Sequence, residues 1–193
     1  HLESRGMRLS EGTIVDATII NAPSSTKNKE KKRDPEMHST KKGNQFYFGM
    51  KIHIGVDKAT KLAHSLVTTP ANVHDSHLIG ELLHGGESGV WGDSAYMGKT
   101  EEINDKAPMA SDNTNKRSTR NRKLTEEEKE RNKMLSKTRV RVEHVFGVVK
   151  NVFGYRKVRY KGLAKNTNGI HVLFALSNLY MVRRELLSLL AGV

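Results

Sequence analysis

Three acidic residues stand where an unpaired charge is costly. Asp16 interrupts the apolar run Thr13-Ile-Val-Asp-Ala-Thr-Ile-Ile20, Asp93 closes Val90-Trp-Gly-Asp, and Glu143 lies among Val140, Val142, Val145 and Phe146. An acid in such surroundings needs a partner or a task. Carboxylates are hard oxygen donors, and magnesium sites use one or two of them together with water and substrate phosphates. Two such ions about 3.5–4 Å apart stabilise the attacking and leaving oxygens of an in-line phosphoryl displacement. The plainer alternative is that each acid pairs with an arginine or caps a helix. Composition and spacing leave both readings open, because neither shows whether the three meet in space.

The elements that would position these acids can be read from the pattern of apolar residues. Gly12–Ile20 predicts a buried strand with Asp16 in its middle. Residues 22–43 lose the apolar signal and predict a mobile, solvated basic loop. Phe46–Val56 and Ala63–Thr69 predict two strands joined by a turn at Asp57-Lys-Ala-Thr60. A helix is expected over His74–Leu83, capped by Asn72 or Asp75, then a strand at Val90–Asp93, a helix at Lys99–Asp105 and a very short strand at Met109–Ala110. Residues 111–123 predict a second basic loop. Thr125 and Glu128 form a capping-box pattern that opens a helix running through Arg139, Glu143 and Lys150. Valine density around Val140–Val149 favours a strand by propensity, but the Glu/Lys-rich run before it is a strong helix former. A last helix is expected over Gly169–Leu190. This order predicts an α/β fold, a mixed five-stranded sheet flanked by helices.

Lys and Arg outnumber Asp and Glu by 33 to 21, and the net charge of +12 favours a polyanionic partner, nucleic acid or an acidic membrane face. No cysteine is present, which excludes disulfides and thiolate metal sites and fits a reducing, cytoplasmic setting. The most apolar stretch, Val172–Val182, is broken by Ser177-Asn178 and closed by Arg183-Arg184, so no membrane span is expected. No Walker-type glycine loop occurs, which argues against nucleotide-driven chemistry.

The segments carrying these acids resemble a known family. They are Gly12-Thr-Ile-Val-Asp16-Ala-Thr-Ile-Ile20, Pro23-Ser-Ser-Thr-Lys27, Asp34-Pro-Glu-Met-His38 and Gly43-Asn-Gln-Phe-Tyr-Phe-Gly-Met-Lys51. Further on come Thr69-Pro-Ala-Asn-Val-His-Asp75, Gly92-Asp-Ser-Ala-Tyr96 and Arg139-Val-Arg-Val-Glu-His-Val-Phe-Gly147. Together, in order from Gly12 to Tyr180, they resemble the DDE transposases of bacterial insertion sequences, in particular the insertion-sequence-five group. The resemblance implies a ribonuclease-H-like catalytic domain over residues 12–193, with residues 1–11 as the remnant of an upstream segment. It implies Asp16, Asp93 and Glu143 as catalytic and metal-binding residues, with magnesium or manganese, two ions, as cofactor. The family signature around the glutamate is matched at Arg139, Glu143 and Lys150, while Ser136 stands where the signature has tyrosine. By resemblance, Arg139 and Lys150 grip DNA near the cleaved phosphate. The plain alternative is an ion pair of Arg139 with Glu143 and a solvated lysine.

Three basic runs are candidates for phosphate contacts. Lys27–Lys42 holds seven basic residues against three acids, while Lys116–Lys123 holds five and Lys150–Lys165 six with no acid. From the last two, Lys116, Arg117, Arg120, Arg122, Arg156, Lys157, Arg159 and Lys161 are the expected DNA contacts. Such contacts carry affinity and salt sensitivity rather than sequence specificity. His74 and His77 around Asp75 lack a third good ligand and read as cap and surface residues rather than a zinc site. The expected function is metal-dependent cleavage of double-stranded DNA at element ends, followed by strand transfer to target DNA. A homodimer on paired ends and a cytoplasmic, nucleoid-associated location go with it. The alternatives are a nuclease of the same fold and a non-catalytic DNA-binding remnant.

Overall fold

In a computed structural model that describes residues 12–191, strand β1 (Thr13–Asn21) is the line on which the sheet is registered. Its β-branched residues suit a pleated, half-buried surface. Strand β3 (Gln45–Asp57) runs antiparallel to it along its whole length, from Thr13↔Asp57 to Asn21↔Gly49. The far edge of β3 is shared by two shorter strands. β4 (Ala63–Pro70) covers Met50–Val56, and β2 (His38–Lys42) covers Gln45–Gly49. On the other side of β1, β5 (Gly89–Gly92) pairs in parallel at Thr13↔Val90 and Ile14↔Trp91. β6 (Ser111–Thr114) then pairs in parallel with β5. Three antiparallel strands followed by two parallel ones give the mixed sheet of a ribonuclease-H-like fold, with β2 as a short addition.

Helices cover both faces. A single-turn helix at Asp75–Leu78 leads into α1 (Ile79–Leu82), and α2 spans Thr100–Lys106. The long α3 (Glu126–Gly147), α4 (Leu163–Met181) and α5 (Arg183–Ala191) follow. Strand side chains alternate between faces, so β1 feeds two cores. Ile14 and Ile20 pack with Met50, Ile52 and Ile54 of β3 under Val142, Val145 and Phe146 of α3 and Ile170 and Phe174 of α4. Val15 instead joins Val90, Ile79, Leu82 and Ile103 on the opposite face. Each fully buried aliphatic side chain stabilises the fold by about 1.5–3 kcal/mol. No helix among the described residues is long and apolar enough to cross a membrane.

The expected basic loop at 22–43 is not a free loop. Met37 is buried in the core, and residues 38–42 form β2. Asp34 accepts a hydrogen bond from Gly162 N and Glu36 one from Leu163 N, both at 2.7 Å, so this segment caps α4 from across the chain. That contact explains why α4 opens at Leu163 rather than at Gly169. Gly162 has φ +85°, a conformation that favours glycine and lets the chain turn into the helix. The 111–123 loop likewise begins with β6, and the fifth strand lies there rather than at Met109–Ala110, where Met109 is exposed. Four polar residues carry no apolar signal, and parallel pairing with β5 recruits them as an edge strand. The helix expected at 74–83 is capped by His74, whose Nδ1 accepts from Ser76 N at 3.3 Å, not by Asn72 or Asp75. The helix opened by Thr125 and Glu128 forms with its full capping box, then widens after Gly147 into a π-type turn over Val148–Val152. The last expected helix breaks at Val182 into α4 and α5. The upstream remnant expected at 1–11 lies outside the described residues.

The connection after the widened turn is held by one side chain. Asn166 is fully buried and accepts hydrogen bonds from the Tyr155 hydroxyl and from the backbone N–H groups of Arg159 and Tyr160. It donates to the carbonyls of Tyr160 and Gly162. Losing a buried hub of this kind leaves several polar groups unpaired, each costing about 1–3 kcal/mol. Asn166→Ala is therefore expected to lower the unfolding free energy by about 3 kcal/mol, measured by urea denaturation. Glu36→Ala, which removes one capping carboxylate from an accessible helix end, should cost only about 1 kcal/mol. A Glu36 variant as damaging as the Asn166 variant would contradict this ranking.

Candidate active site

The parallel register of β1 and β5 brings two of the three acids together. Asp16 lies two residues past Ile14 and Asp93 two residues past Trp91, just beyond the end of β5, so the register brings both acids to the same end of the strand pair. β5 stops there, leaving the edge of β1 open beyond Ile14 until Asn21 meets Arg156 and Val158 through backbone hydrogen bonds. At the end of β5, Gly92 has no room for a side chain. A Cβ there would come within 2.9 Å of the Tyr96 ring and 3.1 Å of Val15. Asp93 then turns the chain: its Oδ1 accepts from Ala95 N at 2.8 Å and caps the turn Ser94–Tyr96.

The third acid comes from above. Phe146, Val145 and Val142 bury the last turns of α3 against the sheet, and this presents Arg139, Glu143 and Gly147 along one side of the helix. The widened turn then carries Lys150 on to the same side. Asp16, Asp93 and Glu143 all line one cleft of about 380 Å³, together with Arg139, Lys42, Lys150 and Arg156. Arg139 faces Asp16, Nη2 to Oδ2 at 3.6 Å, rather than forming the ion pair with Glu143 that helical spacing alone permits. Lys150 donates to Thr18 Oγ1 at 2.6 Å. Its pKa is lowered by burial first and then by the charges of Lys42 and Arg156.

Asp16 is the strained member. Burial pushes its carboxyl up to about 6, against the lowering effect of the Ala17 N–H and of Arg139, while Asp93 and Glu143 add repulsion. Below it lies Tyr96, whose hydroxyl is buried without a hydrogen-bond partner. Burial, then Asp75, Asp16 and Asp93, hold that phenol well above its usual range. Hard oxygen donors that repel one another around one space suit a divalent cation. Among the described residues, however, no three His, Asp or Glu side chains stand close enough to form a ligand group as they are. They share the wall of a cleft rather than a closed coordination shell.

The other expected DNA contacts divide. Arg156 joins the cleft. Lys116 and Arg122 do not: both pair with Glu128, at 3.0 and 2.6 Å, near the start of α3. That is about 22 Å along the helix axis from Glu143, and Arg117 and Arg120 belong to the same exposed loop. Lys157 sits where the chain bridges to Asn21. Arg159 lies over the Tyr155 ring, and Lys161 pairs with Glu30 at 2.7 Å; both line a separate groove of about 270 Å³ with Lys32, Arg33 and Tyr160. Ser136, at the position of the signature tyrosine, accepts a hydrogen bond from Asn115. Sequence reading placed Lys42 in the basic Lys27–Lys42 run but not among the named contacts, and it missed the Lys51–Asp75 pair at 2.8 Å, which lines a smaller compartment beside Asp16 and Asp93. The Gly43-Asn44 dipeptide, between runs that pair as Lys42↔Gln45, was the available hairpin signal.

The ribonuclease-H-like sheet thus carries three carboxylates on one basic cleft. The profile of the transposase DDE domain matches residues 8–179, and the chain belongs to that family. No solved structure matches the chain.

The position of Asp16 has a consequence for stability. A carboxyl whose folded pKa lies above its unfolded value holds its proton more tightly when folded. Its contribution is favourable below the ordinary value of 3.8 and is lost as pH rises towards 6. That gap corresponds to at most about 3 kcal/mol. Asp16→Asn is therefore expected to stabilise the metal-free protein by about 1–3 kcal/mol at neutral pH, with the gain vanishing near pH 3.8. Urea denaturation in chelator at both pH values measures it, and a gain independent of pH would count against a strained carboxyl.

Proposed function

We propose that this transposase domain cuts DNA phosphodiesters at the ends of an insertion sequence of the insertion-sequence-five group and joins the freed strand to target DNA. The observation that carries this reading is the shared cleft: Asp16, Asp93 and Glu143 on one wall, with Arg139, Lys150, Arg156 and Lys42 around them. Asp16, Asp93 and Glu143 would together hold magnesium or manganese, two ions. When bound, such ions polarise the phosphoryl oxygens and make water a nucleophile near neutral pH. Arg139 is held over Asp16 at 3.6 Å and would exchange that partner for a phosphate oxygen as metal and DNA enter. Lys150, held by Thr18, and Arg156 then fix the backbone beside the scissile bond. Water would attack the phosphorus and expel the element's 3′-oxygen, which takes up a proton; the freed 3′-hydroxyl would then attack a target phosphodiester, lose its proton and expel the target's 3′-oxygen. Paired element ends would be held by a homodimer, and the reaction belongs in the cytoplasm at the nucleoid.

The contact between Arg139 and Asp16 also favours a second reading, a DNA-binding remnant in which the arginine permanently neutralises the acid. One experiment separates them. The wild-type protein should nick a supercoiled plasmid in Mg²⁺ or Mn²⁺, and Asp16→Asn, Asp93→Asn and Glu143→Gln should each slow nicking by about a thousandfold or more. Plasmid retention on a filter should stay within about twofold for all three, because contacts to the phosphates remain. A wild type that retains the plasmid in both metals and never nicks it establishes the remnant.

A further inference from the structure

The smaller compartment beside Asp16 and Asp93 measures about 170 Å³, and Lys41, Lys42 and Lys51 line it as well. Lys41 and Lys42 lie on the exposed strand β2, where water solvates their ammonium groups. Lys51 differs from them. It stands on β3 between Ile19 of β1 and Thr69 of β4, and its side chain is only 13% exposed. A cation with so little water is costly to leave unpaired. Among the described residues, Asp16, Asp75 and Asp93 are the carboxylates that line the compartment. Lys51 goes to Asp75: its Nζ donates to Asp75 Oδ1 and to the Val73 carbonyl, both at 2.8 Å.

The segment that makes this two-point grip is itself held in place. After β4 the chain turns with Ala71 N bonded to Gly49 O and Val73 N bonded to Pro70 O, both at 3.1 Å. His74 caps the single turn that Asp75 opens. Behind Asp75 lies His53, fully buried, with Nε2 on Thr69 Oγ1 at 2.8 Å and Nδ1 3.8 Å from Asp75 Oδ1. Burial lowers the His53 pKa to about 4, so at neutral pH the ring brings no charge and Lys51 supplies the cation that pairs with Asp75.

Arg139 shows what a cation without such a grip does at this place. Its Nε is buried without a hydrogen-bond partner, and its Nη2 stands 3.6 Å from Asp16 Oδ2. Were Asp75 absent, the carboxylates left to Lys51 in its own compartment would be Asp16 and Asp93. We propose that Asp75 is a positioning residue of the carboxylate site: by holding Lys51 it keeps that ammonium off Asp16 and Asp93 and leaves both acids open to divalent ions. The proposal rests on Asp16 and Asp93 being metal ligands. Asp75 acts through Lys51 and need not touch an ion. An ammonium settled on a carboxylate competes with a metal for the same oxygens and the same charge.

Binding of Mn²⁺ alone to the full chain, without DNA, tests this through the electron paramagnetic resonance signal of the free ion. Asp75→Ala should weaken Mn²⁺ binding by about tenfold, the usual effect of losing a residue that orients metal ligands from outside. Lys51→Met should bind at least as tightly as the wild type. The double variant Asp75→Ala/Lys51→Met should return to within about twofold of Lys51→Met, because removing the lysine removes the need for its tether. A residue that only supports the fold, or one that binds the ion itself, would show no such rescue. Wild-type affinity in Asp75→Ala, or a double variant as weak as Asp75→Ala, overturns the proposal. So does a Lys51→Met variant that binds about tenfold more weakly, a result that stands even where Asp75→Ala does not fold. A wild type that binds no Mn²⁺, or binding that survives both Asp16→Asn and Asp93→Asn, strikes the carboxylate reading and the proposal with it. Binding lost in those two variants and unchanged in Asp75→Ala strikes the proposal alone.

Discussion

Three carboxylates that line one cleft repel one another, and one of them is mostly buried; the fold must hold them there against both penalties. The force that does so is β pairing. Asp16 cannot leave its place without breaking the antiparallel ladder with β3, in which it lies opposite Ile54, and the apolar contacts of Ile14 and Ile20 on either side. Asp93 is fixed by the end of β5 and by its own capping bond to Ala95. The cost collects on Asp16, whose proton is held far above the ordinary carboxylate range. Arg139 offsets part of it from α3.

The remaining elements serve that arrangement from a distance. The apolar anchor of α3 lies near its end, where buried Val142, Val145 and Phe146 position Arg139 and Glu143, while Arg131 and Asn132 tie its first half to β6 and Lys116 by hydrogen bonds. The widened turn that follows keeps Lys150 over β1, and π-type turns of this kind often mark functional positions. Asn166 then fixes the return of the chain, and Asp34 and Glu36 cap the helix that carries Asn166. The segment that caps α4 continues into β2 and delivers Lys42 to the cleft. Loop, hairpin, cap and cleft are one connected piece of structure.

That connection separates what was legible from what was not. The strands at 13–21, 45–57 and 63–70 announce themselves through β-branched and aromatic runs, and Thr125 with Glu128 announces the start of α3. β2 and β6 are polar throughout and exist because a neighbouring strand offers them an edge. His74 caps its turn through a ring nitrogen, which residue type alone does not favour over Asn72 or Asp75. The start of α4 depends on carboxylates 127 and 128 residues away, beyond the reach of any local pattern.

From residue type and spacing alone came the three acids, the mixed sheet, the helix bearing Arg139 and Glu143, and the basic character of the partner surface. All of these follow from local physics: apolar periodicity, propensity and the cost of a charge in an apolar run. Tertiary structure alone decided that Arg139 turns to Asp16, that Lys150 rests on Thr18, and that Lys42 joins the cleft while Lys116 and Arg122 are tied to Glu128 at the far end of α3. A side chain's partner is set by which strands pair and where helices dock, and those contacts join residues far apart in the chain.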